Sequence, residues 1–339
     1  MHWQQTYSGF KLAAALAAAT ALAGCNTSSD SGGSSSGETG QMSLAVTDAP
    51  VDSAVRVVVR FTHIELKPAG NGDRVRIDFD EPVREIDLLA LQGDNSVFLF
   101  EDEEVPAGRY DWIRFYLEPD GGASSPPLSN FATSSFIEFE DEYRENLIIP
   151  GGLQAGLQLV SGFTVPANGS ASFTVDFDLR KAIRPASDPQ FSGYHRMRRA
   201  LRIVDNANVG TITGTVDPSI IPADLECYDQ GWDHSDYQIC PGAAVYVFEG
   251  SDQTPRDIRD TAGDPVTTAN VHLRYVEESG DWEYRYTAGF LLEGDYTVAL
   301  TFAADLDDPE EETPIAFEDA ANASVEAGET TVVDFPTDD

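Results

Sequence analysis

The feature that most constrains the fold is the alternation of apolar and polar residues with a period of two. Between residues 171 and 180 the odd positions are apolar and the even positions are polar, and similar alternation occurs over 55–61 and 109–117. This is the side-chain repeat of a β-strand. Turn signals such as those at 70–73 and 168–169 separate the runs and favour hairpins. We therefore predict an all-β chain, in which residues 85–91 alone form a short helix.

The strand-like runs fall into two series. A second series begins near Gly210 and continues to Phe335 with a spacing of about ten residues, which is typical of a β-sandwich. We predict two antiparallel β-sandwich domains in series, at 42–207 and 208–339, with the second immunoglobulin- or transthyretin-like. The strings at 165–177 and 325–335 resemble each other, as do those at 106–110 and 292–296. These sequence similarities indicate two sandwiches of related construction.

The N-terminus carries an export signal. Residues 12–22 form an apolar run that follows Lys11, and the run is too short to span a bilayer. The next residues complete the string LAGC at 22–25, which resembles the lipobox of bacterial lipoproteins. The resemblance implies a signal peptide at 1–24 and acylation of Cys25, which anchors the chain to the membrane. An ordinary signal peptide with an incidental cysteine is the alternative.

The residues after Cys25 predict a tether and a location. Residues 26–41 are rich in serine and glycine without apolar periodicity, so we assign 25–41 to the lipidated cysteine and a flexible linker. Asn26 resembles the residue found in lipoproteins sorted to the outer membrane of Gram-negative bacteria. We therefore expect an exported protein, lipid-anchored in the cell envelope.

Charge and cysteine content restrict the partners. The chain has 21 Lys and Arg against 58 Asp and Glu, a formal net charge of −37, so nucleic acids and anionic lipid headgroups would repel it. With Cys25 acylated, Cys227 and Cys240 remain as an even pair in an oxidising compartment, and we predict a disulfide between them. A metal site that includes His234 is the alternative, although it lacks the paired ligands of a zinc site.

Two family resemblances cover most of the chain. The strings LAVTDAPVD (44–52), DLL (87–89), VPAGRY (105–110), LVSGFTV (159–165) and DFDLRK (176–181) resemble the bacterial lipoprotein domain known as domain-of-unknown-function family 4382. That resemblance implies a β-rich extracytoplasmic module and no established activity.

The second resemblance covers residues 210–335. The strings GTV (214–216), AVYV (244–247), GDYTV (294–298) and VDF (333–335) resemble carboxypeptidase regulatory-like or Cna B-type sandwiches. These domains are commonly spacers or carbohydrate-binding-like folds. An isopeptide crosslink is excluded because no lysine follows Lys181.

Two groups of charged residues are candidate binding sites. Asp48, Asp52, Asp176 and Asp178 offer the oxygen ligands that Ca²⁺ prefers, unless nearby basic residues pair with them. A cluster of arginines could bind an acidic glycan, or neighbouring acidic strands could neutralise it; its members are Arg180, Arg184, Arg196, Arg198 and Arg199.

Enzymatic signatures are absent from the sequence. The mature chain has four histidines, His63, His195, His234 and His272, without an HExxH motif or a phosphate loop. We predict a non-enzymatic, lipid-anchored surface protein that serves binding, adhesion or envelope scaffolding. It requires no cofactor, and its partners are the membrane through the lipid and a glycan or surface protein. A calcium-dependent binding module and a hydrolase of unrecognised type are the alternatives.

Overall fold

The computed structural model describes residues 37–49, 54–123, 125–139, 142–228, 237–259, 261–277, 279–312 and 314–336. Cys25, Asp52 and His234 lie outside these residues. Within them the chain is built mainly of strands: β1 (Thr39–Ala49), β2 (Arg56–Pro68), β3 (Val75–Asp78), β4 (Arg84–Asp87), β5 (Val97–Pro106), β6 (Gly108–Leu117), β7 (Ala132–Glu138), β8 (Arg144–Ile148), β9 (Leu157–Leu159), β10 (Phe163–Val165), β11 (Ser170–Asp178), β12 (Ile183–Pro185), β13 (Tyr194–Met197), β14 (Leu201–Asp205), β15 (Val209–Val216), β16 (Tyr237–Glu249), β17 (Thr267–Val276), β18 (Asp281–Leu292), β19 (Gly294–Thr301), β20 (Asp319–Val325) and β21 (Thr330–Val332).

Among the residues that the structure describes, helical structure is confined to single turns. The α-helices are α1 (Leu128–Phe131) and α2 (Leu179–Ala182), and short 3-10 turns occur at Leu88–Leu91, Pro189–Phe191, Asn206–Asn208 and Ala304–Leu306. The helix predicted over 85–91 is therefore wrong in its first half, which is strand β4. The 3-10 turn that follows buries Leu88 and Leu89. Their burial explains why the segment is apolar without being a helix.

The first domain packs two sheets around one core. One sheet has the strand order β14-β11-β1-β5, and the other follows β10-β6-β2-β7-β8-β13-β12, with β3 and β4 on β2 and β9 on β6. Phe177 of the first sheet contacts Phe61 and Phe115 of the second, with ring centroids 6.0 and 5.7 Å apart. Burial of each such side chain contributes about 1.5–3 kcal/mol.

The second domain is a single seven-stranded sheet with its own core. The strand order is β20-β19-β16-β17-β18-β15-β21, and the hydroxyl of Thr331 in β21 donates to the carbonyl oxygen of Ser324 in β20, 2.7 Å away. The sheet therefore curls until its end strands meet, and it encloses residues such as Tyr286 and Phe335. The all-β, sandwich-like fold class is confirmed.

In the described part of the chain, three strand pairs are parallel, namely β1 with β11, β8 with β13 and β15 with β21. Turn signals report only antiparallel neighbours, because parallel partners come from distant parts of the chain. Residues 37–339 form one compact unit, and its described part contains one hydrophobic core in the first domain and two hydrophobic clusters in the second.

The two domains repeat the same tyrosine contact. The hydroxyl of Tyr110 donates to the carbonyl oxygen of Pro106 at 2.6 Å, and that of Tyr296 donates to Leu292 at 2.7 Å. In each case the tyrosine bonds to the residue four positions before it. Burial raises the pKa of Tyr110 to about 12, so the hydroxyl stays a donor. The strings at 106–110 and 292–296 resemble each other because both build this corner.

The strands around each corner also correspond. Phe163 lies opposite Tyr110 in the pairing of β10 with β6, and Ala323 lies opposite Tyr296 in the pairing of β20 with β19. The turn that follows bonds to the first strand of its own domain. Backbone N–H groups of Asn168 and Gly328 donate to the carbonyl oxygens of Thr39 and Val209, both at 2.8 Å. The two domains therefore share one backbone framework.

Candidate functional site

The outward face of β1 and β11 is buried against the second domain. Alternation along β11 places Phe173, Val175 and Phe177 in the core of the first domain, while Asp176 and Asp178 on the opposite face are also buried. The backbones of the two domains come close here: a Cβ atom on Gly289 would lie 2.6 Å from the carbonyl oxygen of Gly93. Only glycine permits this approach. We call this contact between the domains the junction.

Arg180 is the central polar side chain of the junction. It lies in the single-turn helix α2 and is 2% exposed. Its Nη1 donates to the carbonyl oxygen of Ala304 at 2.7 Å, and its Nη2 donates to Oδ1 of Asn270 at 3.1 Å. The next residue, Lys181, donates to the carbonyl oxygen of Pro265 at 2.8 Å. One turn of helix thus binds three segments of the second domain.

Most of the predicted glycan-binding arginines also face the second domain. Arg184 forms an ion pair with Asp308 at 3.4 Å. Arg196 forms an ion pair with Glu310 at 2.7 Å, and Arg198 lies 3.8 Å from the same carboxylate. Arg199 is exposed and has no ion pair among the described residues. The arginine cluster is therefore not an open glycan surface, because Arg180, Arg184 and Arg196 already contact residues of the second domain.

The acidic stretch at 305–312 is the complement of this cluster. Its aspartates and glutamates supply the carboxylates that neutralise the arginines. Asp307 is buried and accepts from the hydroxyl of Tyr246 at 2.7 Å, and burial raises its pKa. The sequence suggests that acidic strands neutralise the arginines, but it does not identify this acidic stretch as their partner.

Three of the four predicted calcium ligands come together at the junction. Asp48 is 4% exposed, and a backbone hydrogen bond from Leu179 to its carboxylate acts to lower its pKa. Burial, with added repulsion from Asp176 and Asp178, raises the pKa of Asp48 well above its usual value. Asp176 accepts from Arg202 through Oδ2 at 2.8 Å, while its Oδ1 is buried without a partner.

Asp178 has a different role. It caps α2 by accepting from the backbone N–H of Lys181 at 3.1 Å, and its other oxygen lies 2.6 Å from the ammonium group of Lys181. Across the described ranges, no three acidic, histidine or cysteine side chains are grouped so that they could hold a metal ion.

A cleft of about 320 Å³ opens beside the junction and is lined by both domains. The first domain contributes the 3-10 turn and the loop before β5, and the second contributes the outward faces of β17 and β18. The lining residues that carry polar side chains outside the core of the second domain are Gln92, Asp94, Asn95, Asn270, His272, Arg274, Arg285 and Thr287.

The polar groups of the cleft differ in whether they already have a hydrogen-bond or ion-pair partner. Nε2 of His272 lies 3.2 Å from Oε1 of Gln92, so this contact joins the two domains. Arg285 pairs with Glu283 at 2.8 Å. Arg274 is exposed and makes no hydrogen bond or ion pair with the described residues. The cleft therefore contains a guanidinium group that remains available to a ligand.

Sequence reasoning missed the cleft. Gln92 and His272 are 180 positions apart, and no motif links them. The alternation of Val271 with His272 and Arg274 was the available signal, because it places two basic side chains on the outer face of one strand.

The other described histidines have structural contacts. His63 stacks on Tyr116 with ring centroids 4.2 Å apart, and His195 lies 2.7 Å from Glu145. In the cleft, His272 is accompanied by one carboxylate, that of Asp94. The described part of the chain thus does not bring a histidine and two carboxylates together in this cleft.

Cys227 and Cys240 form the predicted disulfide. The bond ties the segment after β15 to β16 at the edge of the second core, against which both cysteines pack. Within the described residues, no helix is long and apolar enough to cross a membrane.

The fold and the cleft define a two-domain β protein whose domains share a junction. Residues 39–192 match the family described as "Domain of unknown function (DUF4382)", a little under half of the chain. No protein with a curated description matches.

Three solved structures illustrate the structural comparison. They are the TIE protein of Bacillus anthracis (11% identity, 88% of this chain and 33% of that chain, TM-score 0.18), the minor pilin GBS52 of Streptococcus agalactiae (10%, 88% and 98%, 0.17) and the major pilin of Streptococcus pyogenes (12%, 88% and 97%, 0.16). The chain thus spans about a third of the TIE protein. TM-scores of this size carry no functional argument, and function rests on the site.

Proposed function

We propose that this protein is a non-enzymatic binding module of the cell surface, and that the cleft between its domains binds an acidic saccharide. The observation that carries the proposal is the exposed guanidinium of Arg274 in a cleft lined by two domains. Ligand sites occur preferentially at domain interfaces, where a few polar groups converge.

The composition of the cleft supports a sugar acid as the ligand. Arginine is suited to planar, bidentate binding of a carboxylate. Nε2 of Gln92, Oδ1 of Asn95 and the carboxylate of Asp94 supply donors and acceptors for hydroxyl groups. The other side-chain atoms of the two amides already have partners, since Oε1 of Gln92 faces His272 and Nδ2 of Asn95 donates to the carbonyl oxygen of Gln92. A uronic acid offers both kinds of partner. This cleft replaces the arginine cluster of α2 and β13 as the proposed glycan site.

The anchor belongs to the same proposal. The lipobox-like string at 22–25 supports acylation of Cys25, and Asn26 supports sorting to the outer membrane of a Gram-negative cell. Two or three acyl chains hold a protein stably at a membrane, whereas one chain binds marginally. Mass spectrometry of the protein from its own host should show fatty acid on Cys25. An unmodified cysteine would contradict the anchor and leave the cleft untouched.

The ligand is tested by titration calorimetry with oligogalacturonate, and a malto-oligosaccharide of equal length serves as the neutral probe. Arg274→Gln removes a charge-assisted contact of about 1.5–3 kcal/mol, so we expect affinity to fall about 10- to 100-fold. Arg199→Gln is the matched control, since it removes an exposed arginine without an ion pair. Equal loss in both variants, or equal binding of the two probes, would contradict the proposal.

A further inference from the structure

We propose that Arg285 binds a second carboxylate in the cleft beside Arg274, so that the cleft selects a chain of uronic acids over a single one. This inference rests on the proposed function of the cleft and specifies its ligand further. Both arginines line the cleft and are exposed. Arg274 alone accounts for the binding of one carboxylate, whereas Arg285 already pairs with Glu283 at 2.8 Å.

The two arginines are neighbours on the same face of the sheet. The pairing of β17 with β18 places Arg274 opposite Glu283, and His272 opposite Arg285. Arg274 and Arg285 are therefore diagonal neighbours across this strand pair. Residues in this relation lie about 7–8 Å apart, which is within reach of long side chains. One ligand can thus contact both guanidinium groups.

The ion pair with Glu283 occupies only one edge of the Arg285 guanidinium. Nε of Arg285 donates to Oε2 of Glu283 at 2.8 Å, while Nη1 and Nη2 make no hydrogen bond with the described residues. The side chain of Arg285 is 47% exposed. The edge formed by two guanidinium nitrogens matches the two oxygens of a carboxylate. Glu283 therefore holds Arg285 in place and leaves this edge available to a ligand.

Glu283 also keeps the two arginines from sharing one ligand carboxylate. It is the neighbour of both on this face, since it lies opposite Arg274 and two residues before Arg285. The space between the arginines therefore already holds a carboxylate, which repels a second one placed there. Two carboxylates that lie on either side of Glu283 avoid this repulsion. Neighbouring residues of a uronic acid chain provide two such groups, whereas a single uronic acid provides one.

The overall charge of the chain sets the salt concentration for the test. A net charge of −37 repels an anionic saccharide at long range, and it repels a dianion more than a monoanion. At an ionic strength of about 0.15 M this repulsion is screened beyond about 8 Å, whereas direct contacts with Arg274 and Arg285 persist. A preference for the dianion under these conditions therefore reports contacts within the cleft.

The experiment compares galacturonate with its dimer, digalacturonate, by titration calorimetry of the mature protein in detergent at about 0.15 M potassium chloride. The dimer presents two carboxylates to one arginine, so statistics alone give about a twofold gain in affinity. We expect the wild type to bind the dimer at least about tenfold more tightly than the monomer. Arg285→Gln should reduce this gain to about twofold and leave the affinity for the monomer unchanged.

Arg76→Gln is the matched control, because Arg76 is also an exposed arginine whose Nε donates to a carboxylate two positions away, that of Asp78, at 2.9 Å. It should bind both probes as the wild type does. The proposal is overturned if the wild type gains no more than about twofold from monomer to dimer, or if Arg285→Gln keeps the full gain. Equal weakening of both probes by Arg285→Gln also overturns it, because the two arginines then share one carboxylate.

These outcomes are distinct from a failure of the proposed function. Each of them leaves a cleft that binds an acidic saccharide through Arg274. If the wild type binds neither probe and does not bind oligogalacturonate, the proposed function and this inference are both overturned.

Discussion

Arg180→Met should destabilise the protein strongly, because it removes the guanidinium while keeping most of the apolar stem. Arg180 is buried and donates to the carbonyl oxygen of Ala304 at 2.7 Å and to Asn270 at 3.1 Å. Each charge-assisted hydrogen bond contributes about 1.5–3 kcal/mol. Arg180 also makes a longer contact of 3.4 Å with the hydroxyl of Thr268. The two shorter bonds give about 3–6 kcal/mol, and the removal of a buried charge offsets part of this loss. We expect a loss of about 3–5 kcal/mol in the free energy of unfolding.

Urea denaturation and calorimetry measure the loss. The wild type should unfold in one transition, because the junction couples two cores. Arg180→Met should lower the midpoint and separate the unfolding of the two domains. Arg199→Met is the control, and an exposed substitution of this kind should change stability by less than about 0.5 kcal/mol. A single transition within about 1 kcal/mol of wild type would refute the central role of Arg180.

Three further predictions concern the domains themselves. Reduction of the disulfide between Cys227 and Cys240 should cost about 3 kcal/mol, measured by urea denaturation with and without reductant, because the bond closes a loop with a sequence separation of 13. Tyr296→Phe removes the corner hydrogen bond and should cost about 1 kcal/mol in the same assay, and an unchanged midpoint would contradict its role. Burial lowers the pKa of His195 despite the nearby Glu145. As the pH falls, His195 therefore becomes protonated at a higher pH in the unfolded chain than in the folded protein. Its contribution to folding stability is present above about pH 6.5 and is lost as the pH drops below that value. His195→Gln should lose less stability than wild type between pH 7.5 and 5.5, and equal slopes would contradict this.

The alternation within β11 shows both the reach and the limit of the sequence. It correctly predicts that Phe173, Val175 and Phe177 face a core, because burial on one side of a strand imposes a period of two. It cannot show what covers the other side. Asp176 and Asp178 follow the pattern of a solvated face, yet the second domain buries them. Periodicity reports which residues share a face, and not which distant surface packs on that face.

The repeated strings and the arginine cluster differ for a similar reason. The similarity between the strings at 106–110 and 292–296 predicts a shared local structure, because each string builds its tyrosine corner from residues four positions apart. The partners of the arginines are far away in sequence: Arg196 and Glu310 are 114 positions apart. The site in the cleft likewise joins Gln92 to His272. Such contacts depend on how two finished domains pack, which local sequence does not encode.

The central claim, that both domains build one binding site, is tested most directly by hydrogen–deuterium exchange of the mature protein with and without saturating oligogalacturonate. We predict slower amide exchange in two separate regions at once, the loop at 89–95 of the first domain and residues 269–287 of the second. Protection in only one of these regions, or in neither, would contradict the account.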